Sequence, residues 1–504
     1  MSKITLTPNA SGTGTFTIQS PATDTNRTFT LPDEDGELSV GGGAGLLDFV
    51  ATGDIANGAV VGLRADGTVS TATPFSGTAE VFESNRTDYI SAVYDTNANK
   101  VVVFWTDWNN GQDLYASVGT VSGTSISFET RVKVEDNPSY HAAAAFDPIS
   151  NKIVLLYYET TGSIRARVIT LTGTTLSIGS TSTLYTNATQ ATSNIRVAVD
   201  TTTGKVVAMY TNNAPNDKLQ VGTISGTTIS WGSAVSYSSY GYNNWIDIEF
   251  EPTSGKFVLV YRPNDNNITY ARVGTVSGSS ITLGTAVLFG ASGEQRAERN
   301  AISINDGKVV IVYDNVNASR LSAVVGTISG TSISFGTPVN HSTIDAGGNN
   351  LATYYDAGVS KTFVFFRENS LSSSFNMEIE ISGTSASFSS VKSELGLDGL
   401  YATAVYDEDQ EKAVLFSRRS ASPNDGYGQV IDNASTIGGY VGLASEAISD
   451  GATGAVTVTS GTNESQSGLS VAKQYYLQTD GTISPNKTDD KVGVALSSTS
   501  ILLT

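Results

Sequence analysis

Short apolar runs alternate with polar turns from Tyr89 to about residue 432, and the order of the runs repeats. Each repeat opens with a short apolar run, such as SAVYD, which ends in an acidic residue in six of the seven repeats and in Asn305 in the fifth. A turn follows, and then a second run that begins with lysine, such as KVVVFW. A third run leads into a Ser/Thr-Gly turn and a short fourth run. Runs of this length that are rich in Val, Phe and Tyr are typical of β-strands. The pattern therefore predicts four strands in each repeat.

Two markers keep the same period along the chain. The lysine recurs with gaps of 51 to 53 residues, at Lys100, Lys152, Lys205, Lys256, Lys308, Lys361 and Lys412. The Gly of the later turn recurs with gaps of 50 to 53 residues, at Gly123, Gly173, Gly226, Gly278, Gly330 and Gly383. Strand-rich units of this length are typical of the blades of a β-propeller.

The number of markers predicts seven blades, with eight blades or an open array as the alternatives. The last repeat stops after its third strand, whereas the run GTVSTATPFSGTAEV, from Gly67 to Val81, resembles a fourth strand without a repeat of its own. We expect residues 67–81 to complete the last blade, because joining the two ends of a ring removes the exposed sheet edges.

The fold class predicted is thus all-β: a seven-bladed β-propeller at 67–432, an N-terminal attachment segment at 1–45 and a small β-module at 433–504. Residues 46–66 form two predicted strands that dock on this C-terminal module. The runs in residues 1–45 are too short to bury a core alone, so this segment needs a partner chain or copies of itself.

Composition excludes several classes of partner. The chain of 504 residues has a net charge of −19 and no run of basic residues, which argues against nucleic acid as a partner. The sequence has no apolar run long enough to span a membrane and no secretory signal, so membrane insertion is not expected. Without cysteine, neither disulfides nor thiolate metal sites can form.

Two end segments carry a resemblance to a known class of protein. The N-terminal ITLTPNASGTGTFTIQSPATDTNRTFTLPDEDGEL resembles the attachment segment of tail-fibre and other virion proteins of tailed bacteriophages. The C-terminal GLSVAKQYYLQTDGTIS with KVGVALSSTSILL is similar to a small β-module of phage appendages. The resemblance implies a location in the virion and binding to other virion proteins through residues 1–45. It also implies a homo-oligomer, for which a trimer is one option.

The sequence offers little catalytic chemistry. It has two histidines, His141 and His341, and the arginines considered for a catalytic site, Arg196, Arg296 and Arg299, have no spacing that assigns them one. The acidic residues that end the first strands are expected to accept hydrogen bonds from their own turns. No catalytic, metal or cofactor site is predicted, although a polysaccharide-degrading propeller with paired carboxylates near its centre is the alternative.

A candidate binding face comes from the loops that differ between repeats. These are the connections from strand two to strand three and from strand four to the next blade, and variable loops on a rigid frame often carry recognition. Their aromatic residues could stack on sugar rings or could pack within the blades. The candidate residues are Trp108, Tyr140, His141, Tyr237, Tyr240, Tyr242 and Trp245. The function expected is a phage tail fibre or peripheral appendage that contacts a host-surface glycan or protein, with a capsid decoration protein as a further alternative.

Overall fold

The computed structural model describes part of the chain: residues 45–64, 67–71, 76–186, 188, 194–211, 217–239, 243–263, 268–289, 297–305, 307–368, 371–395, 399–433, 440–478, 482–487 and 491–504. Over these residues the chain forms β-strands and no helix. The chain divides into two compact units, residues 1–44 and 45–504. The first unit, and with it almost all of the predicted attachment segment, lies outside the described residues.

The strands have the following bounds. Those before the repeats are β1 (Leu46–Val50), β2 (Val60–Leu63), β3 (Val69–Thr71) and β4 (Glu80–Glu83). The first three repeats contain β5 (Thr87–Asp95), β6 (Lys100–Asp107), β7 (Asp113–Ser122), β8 (Ser125–Phe128) and β9 (Val132–Glu135); β10 (Ser139–Asp147), β11 (Lys152–Glu159), β12 (Ser163–Thr172), β13 (Thr175–Ile178) and β14 (Ser182–Thr186); β15 (Ile195–Asp200), β16 (Lys205–Tyr210), β17 (Lys218–Ser225), β18 (Thr228–Trp231) and β19 (Val235–Ser236). The next two contain β20 (Asn243–Glu251), β21 (Lys256–Pro263), β22 (Tyr270–Ser277), β23 (Ser280–Leu283) and β24 (Val287–Leu288); β25 (Ala297–Asn305), β26 (Lys308–Asn315), β27 (Arg320–Ser329), β28 (Ser332–Phe335) and β29 (Val339–Asn340). The last two contain β30 (Ala346–Asp356), β31 (Lys361–Glu368), β32 (Ser373–Ser382) and β33 (Ser385–Glu394); β34 (Gly399–Asp407), β35 (Lys412–Arg419) and β36 (Gly426–Ile431). The chain ends with β37 (Tyr440–Ala444), β38 (Thr453–Thr457), β39 (Thr462–Asn463), β40 (Gln474–Leu477), β41 (Ile483–Ser484), β42 (Lys491–Ala495) and β43 (Ile501–Leu503).

The repeats form a closed ring of sheets. Within the described residues, seven antiparallel sheets follow one another. The fifth strand of each of the first five sheets pairs with the third strand, as β4 does in the last sheet, and the other strands lie in sequence order. The first strand of each sheet contacts the first strand of the next, and β34 of the last sheet contacts β5 of the first. The first strands are therefore innermost and surround a central channel. These sheets agree with the prediction of seven blades.

The ring closes where the two ends of the repeat region meet. Strand β4 pairs antiparallel with β36 in the register with which β9 pairs with β7, so the N-terminal side contributes a strand to the last blade. The backbone N–H of Gly77 donates to the carbonyl oxygen of Val430 at 3.0 Å, just as Gly284 donates to Val273 at 2.8 Å in the fourth blade. Ser76, within the predicted 67–81, forms an antiparallel bridge with Ile431, just as Phe128 at the end of β8 pairs with Gly119, whereas β3 joins a different sheet.

Glycine at this position lets neighbouring blades approach closely. A Cβ atom on Gly77 would lie 1.6 Å from the carbonyl oxygen of Thr124, and one on Gly284 would lie 1.7 Å from that of Thr331. Both acceptors lie in the Ser/Thr-Gly turn of the next blade, so each turn packs against the preceding outer strand. The marker glycine of the turn itself, such as Gly123 at φ 58°, instead provides the positive φ that the turn requires.

The core lies between the blades. Second strands are buried on both faces, and every residue from Val101 to Trp105 of β6 is 0% exposed. Phe104 of the first blade and Leu155 of the second belong to one apolar cluster, and similar clusters join the following pairs of blades. Large aliphatic and aromatic side chains therefore hold the sheets face to face.

The inner turns use the acidic residue and the lysine as the sequence predicts. The carboxylate of Asp147 accepts from the backbone N–H of Ile149 at 3.0 Å, and that of Glu251 accepts from Thr253 at 3.0 Å. The lysine that follows lies at the start of the second strand, and Lys256 donates to Thr275 on the third strand at 3.0 Å. These residues stabilise the turn and the hairpin.

The two ends of the chain beyond the propeller share a sheet. Strands β1, β2 and β3 lie with β37 and β38 in the order β1-β38-β37-β2-β3. A second sheet, β39-β43-β42-β40-β41, holds the rest of the C-terminal part. Val60 of β2 packs in one apolar cluster with Leu443, Tyr475 and Ile501, so the two sheets have a common core.

Candidate binding site

A strained backbone position recurs at one mouth of the central channel. In four blades the first strand carries a β-bulge with an aromatic residue at positive φ: Tyr89 at 54°, His141 at 54°, Trp245 at 50° and Tyr401 at 58°. Each lies six residues before the acidic residue that ends its strand. For most residues this positive-φ conformation costs roughly 1 kcal/mol or more of conformational free energy. Glycine and asparagine adopt it at lower cost. The backbone conformation therefore does not account for aromatic residues at this position, and a role of their side chains does.

Three of these side chains form a continuous arc across the ring seam. The ring of Tyr89 lies 5.6 Å from that of Tyr401 in the last blade and 4.6 Å from that of His141 in the second blade, centroid to centroid. All three are half-buried, as is Trp245 in the fourth blade. We call these four residues the aromatic rim. Its members keep accessible ring surface around the ring axis.

A network of charged residues supports the rim from behind. Asp88, which is 1% exposed, forms ion pairs with Arg418 of the last blade and with Arg86, the latter at 2.9 Å. The guanidinium of Arg418 lies 5.0 Å from the ring centroid of Tyr401, and that of Arg86 lies 4.5 Å from that of Trp108. Cation–π contacts of this kind favour one position of the aromatic ring. The network also joins the first and last blades.

The channel beneath the rim carries ionisable groups. Trp245, Asp247 and Glu249 alternate with buried residues along β20, so they share one side of the strand. At the rise of a strand, Glu249 lies about 7 Å farther along β20 than Asp247. The Nε atom of Arg196, on the third blade, lies 3.5 Å from Oδ1 of Asp247.

The ring of blades shifts the acidity of these carboxyl groups. The pKa of Glu249 is raised to about 8, first because the surrounding protein displaces bulk water and second because Asp247 carries a like charge. Burial also raises the pKa of Asp247, although Arg196 and the N–H groups of Ile302 and Ile248 act in the opposite direction. The side chain of Glu249 is nevertheless exposed to the channel, so Glu249 is more easily protonated than an ordinary glutamate.

The candidate residues from the sequence fall into three groups. His141 and Trp245 belong to the rim. Trp108 and Tyr140 lie behind it: Tyr140 is 5% exposed, and its ring lies 6.0 Å from that of Trp108 and 5.5 Å from that of Tyr89. Tyr237 is 0% exposed and packs against Tyr261 in the core, which is the packing role that the sequence left open. Tyr240 and Tyr242 lie outside the described residues.

Sequence reasoning missed Tyr89 and Tyr401. The search concerned aromatic residues in the variable loops, whereas these two lie inside the first strand. The signal was present as the fixed spacing of six residues before the terminal acidic residue, which also marks His141 and Trp245. Of the three scattered arginines, Arg196 lies in the channel. Arg296 lies outside the described residues, and the side chain of Arg299 is not described.

Other parts of the described chain offer weaker sites. A cleft of about 390 Å³ lies on the opposite face, between the fifth and sixth blades, and is lined by residues that include Lys308, Tyr355, Lys361 and Glu378. Among the described residues, no group of three or more His, Cys, Asp or Glu side chains is placed to hold a metal ion. The same residues contain no helix that is long and apolar enough to cross a membrane.

Comparisons with solved structures identify the fold. The chain resembles the BP39L lectin from Burkholderia pseudomallei with a TM-score of 0.50 at 11% identity, over 70% of this chain and 97% of the lectin. It also resembles the periplasmic gluconolactonase of Pseudomonas aeruginosa (TM-score 0.44, 10% identity, 69% of this chain and 96% of that one). A third is the fucose-specific lectin from Aleuria aurantia (TM-score 0.39, 13% identity, 62% and 97%). No protein-family model and no curated protein matches the sequence. The prediction of an all-β propeller is confirmed.

Proposed function

We propose that the protein is a non-enzymatic component of a tailed-phage virion that binds a host-surface glycan at the aromatic rim. The observation that carries the binding proposal is the placement of Tyr401, Tyr89 and His141 at one equivalent position in three consecutive blades. Aromatic faces suit the C–H faces of sugar rings, and the polar groups below them suit hydroxyl groups. This combination favours a carbohydrate over a purely apolar ligand.

The place in the virion rests on the sequence. The resemblance of residues 1–45 to phage attachment segments supports anchoring to other virion proteins, with the propeller directed outward. The same resemblance supports a homo-oligomer, a trimer among the options. A capsid decoration protein would use the same parts at another attachment point. Immunogold labelling of particles that contain the full chain distinguishes these cases: label at the tail supports the fibre or appendage, label spread over the capsid supports decoration, and particles without label contradict a virion role.

A second candidate function has one specific observation in its favour. Arg196, Asp247 and Glu249 place an arginine and two carboxyl groups with raised pKa inside the channel. A carboxyl group that is protonated near neutral pH can act as a general acid, and a second carboxyl group could act as a base. The alternative is therefore a polysaccharide-processing enzyme whose reaction takes place below the rim.

One experiment separates binding from hydrolysis. The full chain is incubated with immobilised host-surface polysaccharide, and retained protein and released reducing ends are measured in the same wells. The proposal predicts retention without release, and loss of retention in the double variant Tyr89→Asn/His141→Asn. Release of reducing ends that is abolished by Glu249→Gln would support the enzyme instead. If no protein is retained and no reducing ends are released, both functions are contradicted.

A further inference from the structure

The rim position repeats, but its residues do not. Counted six residues before the end of each first strand, the chain has Tyr89, His141, Asn194, Trp245, Arg299, Asn350 and Tyr401 in blades one to seven. By contrast, all seven second strands begin with lysine. A position that keeps its place in the fold while its residue type varies from blade to blade is not conserved for a common structural role.

This difference bears on the number of ligands. Sites between neighbouring blades would need the same side chains in each blade and could then bind several ligands per chain. A site on the ring axis is shared by all blades, so each blade can contribute a different group to one ligand. The contacts between Tyr401, Tyr89 and His141, which link three blades at the mouth of the channel, indicate the second arrangement.

The rim is also unequal around the axis. Its continuous aromatic arc covers the last, first and second blades, whereas the equivalent residue is Asn194 in the third blade and Trp245 in the fourth. A ligand centred on the axis therefore meets three adjacent aromatic rings on one side, and a polar and a further aromatic residue on the other. This suits a single ring with an apolar face and a hydroxylated edge.

The walls around the mouth favour an approach along the axis. The backbone N–H of Trp108, in a variable loop, donates to the carbonyl oxygen of Arg86 just before β5 at 3.0 Å, so this loop stands beside the rim. Below the rim, Asp247 is half-buried and Glu249 is exposed to the channel. A glycan chain lying across the face would contact the loops and miss these carboxyl groups. The end of a glycan chain that enters along the axis can contact the loops and the carboxyl groups.

We infer that the rim binds the terminal, uncharged sugar ring of one glycan chain per molecule, inserted end-on along the ring axis. This inference rests on the proposed glycan-binding function. An uncharged sugar is favoured because the molecule carries a net charge of −19 and the carboxylate of Asp247 already has Arg196 beside it. An acidic sugar would meet repulsion on approach.

The test is a calorimetric titration of the full chain with a panel of neutral oligosaccharides. Each oligosaccharide is used with a free non-reducing end and with the same end O-methylated. We expect one binding site per chain, and binding at least about tenfold weaker to the methylated form, because a blocked end loses hydrogen bonds inside the channel. Tyr89→Asn should weaken binding of the free form by about tenfold, whereas Tyr89→Phe should retain it.

The outcomes separate the inference from the function on which it rests. A stoichiometry well above one, or equal affinity for free and methylated ends, would overturn axial end-on binding and leave the glycan-binding function standing. If no neutral oligosaccharide binds but an acidic polysaccharide binds through the rim residues, only the claim that the bound sugar is uncharged is overturned. Absence of binding to neutral and acidic glycans would overturn the function itself.

Discussion

The two ends of the innermost strands differ in what they keep constant. At the end beside the uniform turns, an acidic side chain accepts backbone N–H groups and a lysine opens the next strand, as at Asp147 and Lys152. At the other end, the same strands carry Tyr, His, Asn, Trp, Arg, Asn and Tyr at one equivalent position. The first end repeats because every blade needs the same turn. The second end varies because its described side chains face a shared space.

The largest effect is expected where the two ends of the ring are joined. Replacing Arg418 by Met leaves Asp88 buried with Arg86 alone, and should lower the free energy of unfolding by about 3 kcal/mol. Denaturant unfolding measures this change. The matched control is Lys361→Met, which removes an ion pair to Glu378 from a lysine side chain that is 50% exposed, and should cost less than about 1 kcal/mol. Equal effects of the two substitutions would contradict the role of the seam network.

A change at the uniform end should reduce stability without affecting binding. Asp147→Ala removes the acceptor for the N–H of Ile149 and the Oγ of Ser150, and should lower the free energy of unfolding by about 2 kcal/mol. Asp136→Ala is the control, since its side chain is 80% exposed. Glycan affinity of the folded Asp147→Ala protein should equal that of the wild type. A loss of affinity at this site would contradict the separation of the two ends.

A change at the rim should show the opposite pattern. Tyr89→Asn removes a ring but relieves the positive φ of 54°, so the two effects on stability largely cancel. We expect the free energy of unfolding to stay within about 1 kcal/mol of wild type, while glycan affinity falls about tenfold. The control is Tyr355→Asn, which changes the same residue type at the opposite end of the channel. A large loss of stability with unchanged affinity would mean that Tyr89 serves packing alone.

The smallest effect concerns the pH dependence of stability. The pKa of Glu249 is about 8 in the folded protein and near 4.5 in the unfolded chain. This group therefore favours folding only while it is protonated. Its contribution is complete below about pH 4.5 and is lost as the pH rises through about 8. Glu249→Gln should therefore flatten the fall in melting temperature over this range. An unchanged pH profile would place Glu249 in a more hydrated environment than the channel provides.

The sequence predicted the repeated features well. The lysine, the acidic residue and the Ser/Thr-Gly turn are determined by local backbone chemistry that every blade shares, so their period gave the strands and the blades. The contribution of the N-terminal side to the last blade was recognisable because Ser76 and Gly77 continue the same motif, and β4 follows them at Glu80–Glu83.

The candidate site could be predicted only in part. His141 and Trp245 were identified as aromatic residues near variable loops, but the same criterion included Tyr237, which the core buries completely. Tyr89 and Tyr401 are far apart in the sequence and become neighbours only because the ring closes between the first and last blades. The pairing of Arg196 with Asp247 likewise depends on two strands of different blades. Contacts across blades are not determined by the pattern within one repeat.

The most direct test is an experimental structure of the full chain bound to a neutral oligosaccharide for which binding has been measured. The account predicts sugar density on the ring axis, with the terminal ring against Tyr401, Tyr89 and His141 and its hydroxyl groups directed toward Asp247. Density between the blades, or in the cleft beside Lys308 and Lys361 on the opposite face, would contradict it.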